Sequence, residues 1–249
     1  MDRKQTMKMF GEFRMKAFIK KYSHAWTFLY IFIYMPWFMW LENNITPQSE
    51  YINMYLPIID DKIPFCEWFI IPYLLWFLFV PAVMLLVFFT SRKEFYYASA
   101  YLFIGMTICL LICTLWPNGQ QLRVESFSRN NILTRIMAFI YKTDTNTNVF
   151  PSIHVFNSIA GCVILCKNRI MKDKKPVKIA SVILSVLIIL STMFLKQHSV
   201  LDVAGGIVLS VVMYVVVYDI NWVRVLKGAT LKEKAGKVEC AKEKQEVSL

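Results

Sequence analysis

Residues 65–89 read FCEWFIIPYLLWFLFVPAVMLLVFF. A helix needs roughly 20 apolar residues to cross a hydrocarbon core about 30 Å thick, so this stretch predicts a membrane span, kinked by Pro72 and Pro81. In lipid, a segment that does not close into a barrel satisfies its backbone groups as a helix. Five further apolar blocks lie along the chain, at Trp26–Leu41, Phe95–Trp116, Val149–Cys166, Val177–Leu195 and Val200–Ile220. The expected fold is therefore all-α: a polytopic membrane protein with six transmembrane helices. It divides into a basic arm (1–25), a six-helix membrane domain (26–220) and a basic tail (221–249). Composition agrees, since 57% of the 249 residues are hydrophobic and 18% are charged, against about a quarter charged in a soluble domain.

The formal charge is +11, which in a soluble protein would suggest nucleic acid. Its distribution points to the membrane instead. Lys and Arg number 22 in the arm, the second and fourth connections and the tail, against 6 in the other connections. Asp and Glu divide 9 to 8, so the two sides carry 22 − 9 = +13 and 6 − 8 = −2. By the positive-inside rule both termini are cytoplasmic, and the excess meets anionic inner-leaflet lipid; no nucleic-acid partner is implied. The expected location is the cell membrane, multi-pass. The charged N-terminus does not read as a signal peptide. Met7, Phe10, Phe13, Phe18 and Ile19 could instead form one face of a helix on the membrane surface. The six cysteines, two pairs of them four apart within apolar blocks, read as small packing residues and not as a disulfide framework.

This topology puts three polar clusters at one membrane face. The first is KQHSVLDVAGG, Lys196 to Gly206. His198 and Asp202 are four apart at a helix start and share a face. A carboxylate on one ring nitrogen fixes the tautomer and leaves the other free to act as nucleophile; the plainer reading is a pair that caps the helix. The second is NVFPSIHVFNSIA, Asn148 to Ala160, with Pro151 suited to a first helical turn. There Ser152 and the helix N-terminus offer donors to an anion, and His154 stands beside them; the plainer reading is a serine cap with an interfacial histidine. His154 and His198 are 44 residues apart, the length of two spans and a turn, so both imidazoles are expected at the same face. The third is LWPNGQQLRVE, where Arg123 could clamp phosphate or be an ordinary loop arginine. Asp144, in KTDTNTN, reads as a turn residue. No pair of carboxylates is spaced as a divalent-metal cage, and the set suits metal-free phosphoryl transfer through a histidine, with no cofactor.

The order Arg123, PSIH, HSVLD resembles the three motifs of the type 2 phosphatidic acid phosphatase family, within the superfamily that includes vanadium haloperoxidases. The forms NVFPSIHV and KQHSVLD also resemble the branch near sphingomyelin and inositol phosphorylceramide synthases. The resemblance implies a lipid phosphatase acting on a lipid-linked phosphate at the non-cytoplasmic leaflet, or a phosphotransferase moving a phospholipid head group to another alcohol. In either case His198 would become phosphohistidine, Asp202 would orient it, and His154 would exchange protons with leaving and attacking oxygens. Ser152, its N–H and Arg123 would hold the phosphoryl oxygens. The chain departs from the pattern at Trp116 and Val124, where the family has a lysine and a proline, and at Ser191–Thr192, where it has Ser-Arg. Lys196 is the candidate replacement for one lost cation. A non-catalytic lipid-binding relative is the reading from another functional class. Gly205 and Gly206 could let the last helix pack closely on a neighbour.

Overall fold

The computed structural model describes residues 18–220. Most of the basic arm, with Met7, Phe10 and Phe13, and the tail from 221 lie outside the described residues. Within them the chain forms α1 (Ile31–Asn44, continuing a 3-10 stretch Ser23–Tyr30), α2 (Pro57–Asp60), α3 (Ile70–Thr90), α4 (Arg92–Leu115), α5 (Ile132–Thr143), α6 (Ile153–Lys167), α7 (Lys175–Phe194) and α8 (Val200–Tyr214). The last helix continues in π geometry through Val215–Asp219.

Among the described residues four helical segments are long and apolar enough to cross a membrane: Glu67–Thr90, Arg92–Leu115, Lys175–Phe194 and Val200–Asp219. The first and fourth sequence blocks fall short of that length. The first is broken between 3-10 and α geometry and carries Pro36. The fourth, α6, has 15 residues and packs against α3, α4, α7 and α8. This central position makes α6 a core helix, with Val155, Phe156 and Ala160 fully buried.

Small residues set the helix spacing. A Cβ on Gly105 of α4 would fall 1.9 Å from the Phe156 ring. Without a water-driven hydrophobic effect in lipid, such close approach supplies the van der Waals packing. Polar locks close the end opposite His154 and His198: the Asn168 amide donates to Thr90 Oγ1 and Glu94 Oε2, and Arg169 donates to the Thr90 carbonyl.

The 117–148 connection, expected as a loop, contains α5. Asn131 and Thr134 form a reciprocal capping box at its start. Leu133, Ile136, Met137, Ile140 and Tyr141 form a stripe at helical spacing that packs with Ile70, Tyr73 and Leu195. The connections at this end also pair with one another. Ile52–Asn53 (β1) runs parallel to Asn118–Gly119 (β2), and Gly119 bridges to Thr147. This small platform leads into α6.

Candidate active site

The turn between α7 and α8 is built by one left-handed residue. Lys196 has φ 56°, and the reversal sends the Gln197 and His198 N–H groups back to the Thr192 carbonyl at 2.9 and 3.1 Å. Ser199 caps α8, accepting from Leu201 N and Asp202 N. Asp202 returns the bond, accepting from Ser199 N at 2.9 Å through Oδ2. That same oxygen lies 3.3 Å from His198 Nδ1. A carboxylate is an acceptor, so it favours the hydrogen on Nδ1 and leaves the Nε2 lone pair outward. The capping role and the orienting role, read as alternatives in the sequence, therefore share one carboxylate.

His154 comes from the first turn of α6. Pro151 stands one residue before the helix cap and not inside the first turn, because Ser152 is extended and its hydroxyl accepts from Val155 N at 3.4 Å. The Ser152 N–H donates to the Asp202 carbonyl at 3.0 Å. Gly206 allows this contact: a Cβ there would lie 2.8 Å from the Ser152 carbonyl oxygen and 2.9 Å from Val155 Cβ. With the starts of α6 and α8 so joined, His154 Nδ1 lies 3.3 Å from His198 Nε2. The Tyr73 and Trp76 rings flank the His154 ring at centroid distances of 5.0 and 4.6 Å.

The three residues expected to hold phosphate are placed differently from that expectation. Ser152 is fully buried, with its N–H joining α6 to α8 and its hydroxyl capping α6. Lys196 donates from Nζ to the Asp60 carbonyl at 2.8 Å, which turns its ammonium away from the histidines. Burial pulls its pKa below the ordinary lysine value, opposed by Asp60 and Asp61. Arg123 is brought to the site but is committed to protein acceptors. Its guanidinium donates to the carbonyls of Tyr141 (2.8 Å) and Thr145 (2.7 Å) and to Gln197 Oε1 (2.6 Å). It also stacks on the Tyr141 ring at 4.7 Å. Burial lowers its pKa from the ordinary arginine value, and Asp144 is the leading influence in the opposite direction.

Beside the imidazoles opens a cavity of about 600 Å³. Its apolar wall comes from α1, α3 and α5, including Phe38, Phe77 and Phe139. At its polar end lie His154, His198, Gln197, Asp144 and Glu42. Gln197 is 2% exposed, and its Nε2 has no hydrogen-bond partner among the described residues. Arg123 fixes the amide orientation by occupying Oε1, so the free donor belongs to Nε2. Asp144 caps the C-terminus of α5, and burial raises its pKa to about 6 against the pull of Arg123. Glu42 accepts from Thr145 N, Thr145 Oγ1 and Asn148 Nδ2, tying α1 to the segment that leads into α6.

Gln197, Asp144 and Glu42 were not identified as site residues from sequence. Gln197 stood inside the quoted KQHS, where its place beside His198 was the available signal. Asp144 read as a turn residue, which its helix-capping position bears out locally. Glu42 belongs to no motif, and the closed platform alone brings it to the cavity.

No curated protein and no solved structure matches the chain. Residues 114–226, which carry Arg123, PSIH and HSVLD, match the family model described as the PAP2 superfamily.

Proposed function

We propose that the protein is an integral membrane enzyme that cleaves or transfers a lipid-linked phosphate through a phosphohistidine, without a metal. The match of residues 114–226 to the PAP2 superfamily model supports phosphatase or phosphotransferase chemistry, and four apolar helices among the described residues support residence in a membrane. The observation that carries the mechanism is the Asp202–His198–His154 relay, 3.3 Å at each link, at the edge of a largely apolar cavity.

His198 Nε2 attacks phosphorus. The new P–N bond forms as the P–O bond to the leaving alcohol breaks, and His154 gives that oxygen its proton. Asp202 holds the imidazole in place and stabilises the positive charge it acquires. Water, or a second alcohol, then gives its proton to His154 and attacks phosphorus, and the P–N bond breaks. Hydrolysis and transfer share the first half and differ in the acceptor. His154 donates toward the Nε2 lone pair in the resting arrangement, so an incoming phosphoryl group replaces that hydrogen bond.

The charge asymmetry supports a six-span topology with both termini cytoplasmic and the site at the outer leaflet. In that topology α1 and α6 are the two short crossings.

The test is phosphate or diacylglycerol release by purified protein in detergent from a panel of lipid phosphates, with and without an acceptor alcohol. Turnover should persist in EDTA and be inhibited by vanadate, which mimics five-coordinate phosphorus. Equal release by wild type and His198→Ala would overturn the reading.

A further inference from the structure

The lining of the cavity bears on which lipid phosphate it takes. Two carboxylates, Glu42 and Asp144, stand at its polar end, and among the described residues no lysine or arginine side chain lines it. Among the described residues neither carboxylate makes an ion pair within 4 Å; the two pairs present are Arg129–Glu67 and His198–Asp202. Asp144 also sits at the C-terminal end of α5, where the helix dipole disfavours a negative charge. A phosphomonoester dianion brought here would face two like charges.

The aromatic lining has the complementary character. Tyr34, Phe38, Tyr73 and Trp76 all face the cavity. Tyr34 and Tyr73 are both within electrostatic reach of Asp144, and Tyr34 stacks on Phe38. Ring faces beside a carboxylate are a setting that attracts ammonium and trimethylammonium groups. Close to them, the unpartnered Gln197 Nε2 and the histidine pair offer donors and a nucleophile to a single phosphoryl group.

We infer that the cavity takes a zwitterionic phosphodiester lipid, with its phosphate at Gln197, His154 and His198 and its head-group cation at Asp144, Glu42 and the tyrosine rings. This inference rests on the proposed function for the placement of the phosphate. It names the substrate class that function left open: a lipid whose head group ends in an ammonium or trimethylammonium. Gln197 supplies a neutral donor beside the two histidines, and Arg123 positions it through Oε1. The phosphate is then balanced by the lipid's own positive end.

The test uses lysophospholipids of one acyl chain that differ in head group: phosphocholine, phosphoethanolamine, phosphoglycerol and bare phosphate. Binding is measured to full-length His198→Ala in detergent, where chemistry is blocked, and initial rates are measured with wild type. The two cationic lipids should bind about tenfold or more tighter than the anionic two. Asp144→Asn should bring the ratio to within about twofold, and Asp144→Glu should restore part of it. The choline and ethanolamine arms distinguish a quaternary from a primary ammonium. Equal or tighter binding of the phosphoglycerol or bare-phosphate lipid would overturn the inference, as would a preference unchanged in Asp144→Asn. If bare phosphate is preferred yet turned over in a His198-dependent way, the head-group inference fails and the proposed function stands. If no lipid shows His198-dependent turnover, the proposed function fails, and the binding arm still decides the head-group question.

Discussion

The molecule holds its three histidines in two contrasting settings. His24 is 2% exposed; its Nε2 lies 3.1 Å from the Phe88 carbonyl, and its ring packs against Phe88 and Phe95. His154 and His198 are comparably buried, at 8% and 7%. Yet His198 has a carboxylate behind one nitrogen and the second imidazole before the other, and both line a cavity. Burial alone makes an imidazole a packing piece. A fixed tautomer with its free nitrogen facing an open volume is what gives it chemistry to do.

Substitutions can break this comparison, and the largest effect is expected at the nucleophile. His198→Ala should reduce kcat at least about 10³-fold, as loss of a covalent nucleophile does elsewhere. Asp202→Asn should follow, with a fall of about 10²- to 10⁴-fold in kcat, because the amide can present a donor to Nδ1 and favour the wrong tautomer. Retention of most activity in Asp202→Asn would reduce the carboxylate to its capping role. Arg123→Lys should cost about 10- to 100-fold in kcat/KM through misplacement of Gln197, since a lysine cannot serve three acceptors in one plane.

A subtler effect sharpens the reading of the cavity. Burial lifts Asp144 to about 6. Below that pH it holds its proton, so affinity for the cationic lipid should fall as pH drops through about 6, by up to about tenfold between pH 7.5 and 5. The groups facing it are Arg123, Glu42, His198 and Tyr73, with Tyr34 alongside. His198→Ala as the background removes the neighbouring imidazole, and Asp144→Asn should flatten the profile. The smallest effect on catalysis belongs to His24→Ala. It should lower the melting temperature in detergent, through a lost hydrogen bond and a cavity among rings, while leaving kcat within about threefold.

Much of the fold and part of the site were legible in residue order. The apolar blocks predicted the helices, and the 44-residue separation predicted that His154 and His198 share one end, which the 3.3 Å contact bears out. The spacing of His198 and Asp202 predicted their contact. The block Val149–Cys166 starts four residues before α6, because Val149 and Phe150 are apolar but precede the Ser152 cap. The helix within 117–148 was legible in principle, through Asn131, Thr134 and the stripe from Leu133 to Tyr141.

The charged residues of the connections show where residue order stops being informative. Lys196 and Gln197 are neighbours in sequence, but the left-handed turn at Lys196 directs one side chain to Asp60 and the other to the cavity. Arg123 is drawn onto backbone carbonyls that become available once α5 ends beside it. Glu42 and Asp144 meet because β1, β2 and Thr147 pair.

By itself the sequence determined the apolar helices, their shared polar end and the His198–Asp202 pair. Those depend on apolar periodicity and on contacts within one helical turn. Only the tertiary structure decided that Lys196 turns away from the histidines, that the Gln197 amide stands beside them and what charge lines the cavity. Those depend on how long connections close on one another, and side-chain direction there is set by contacts distant in the chain.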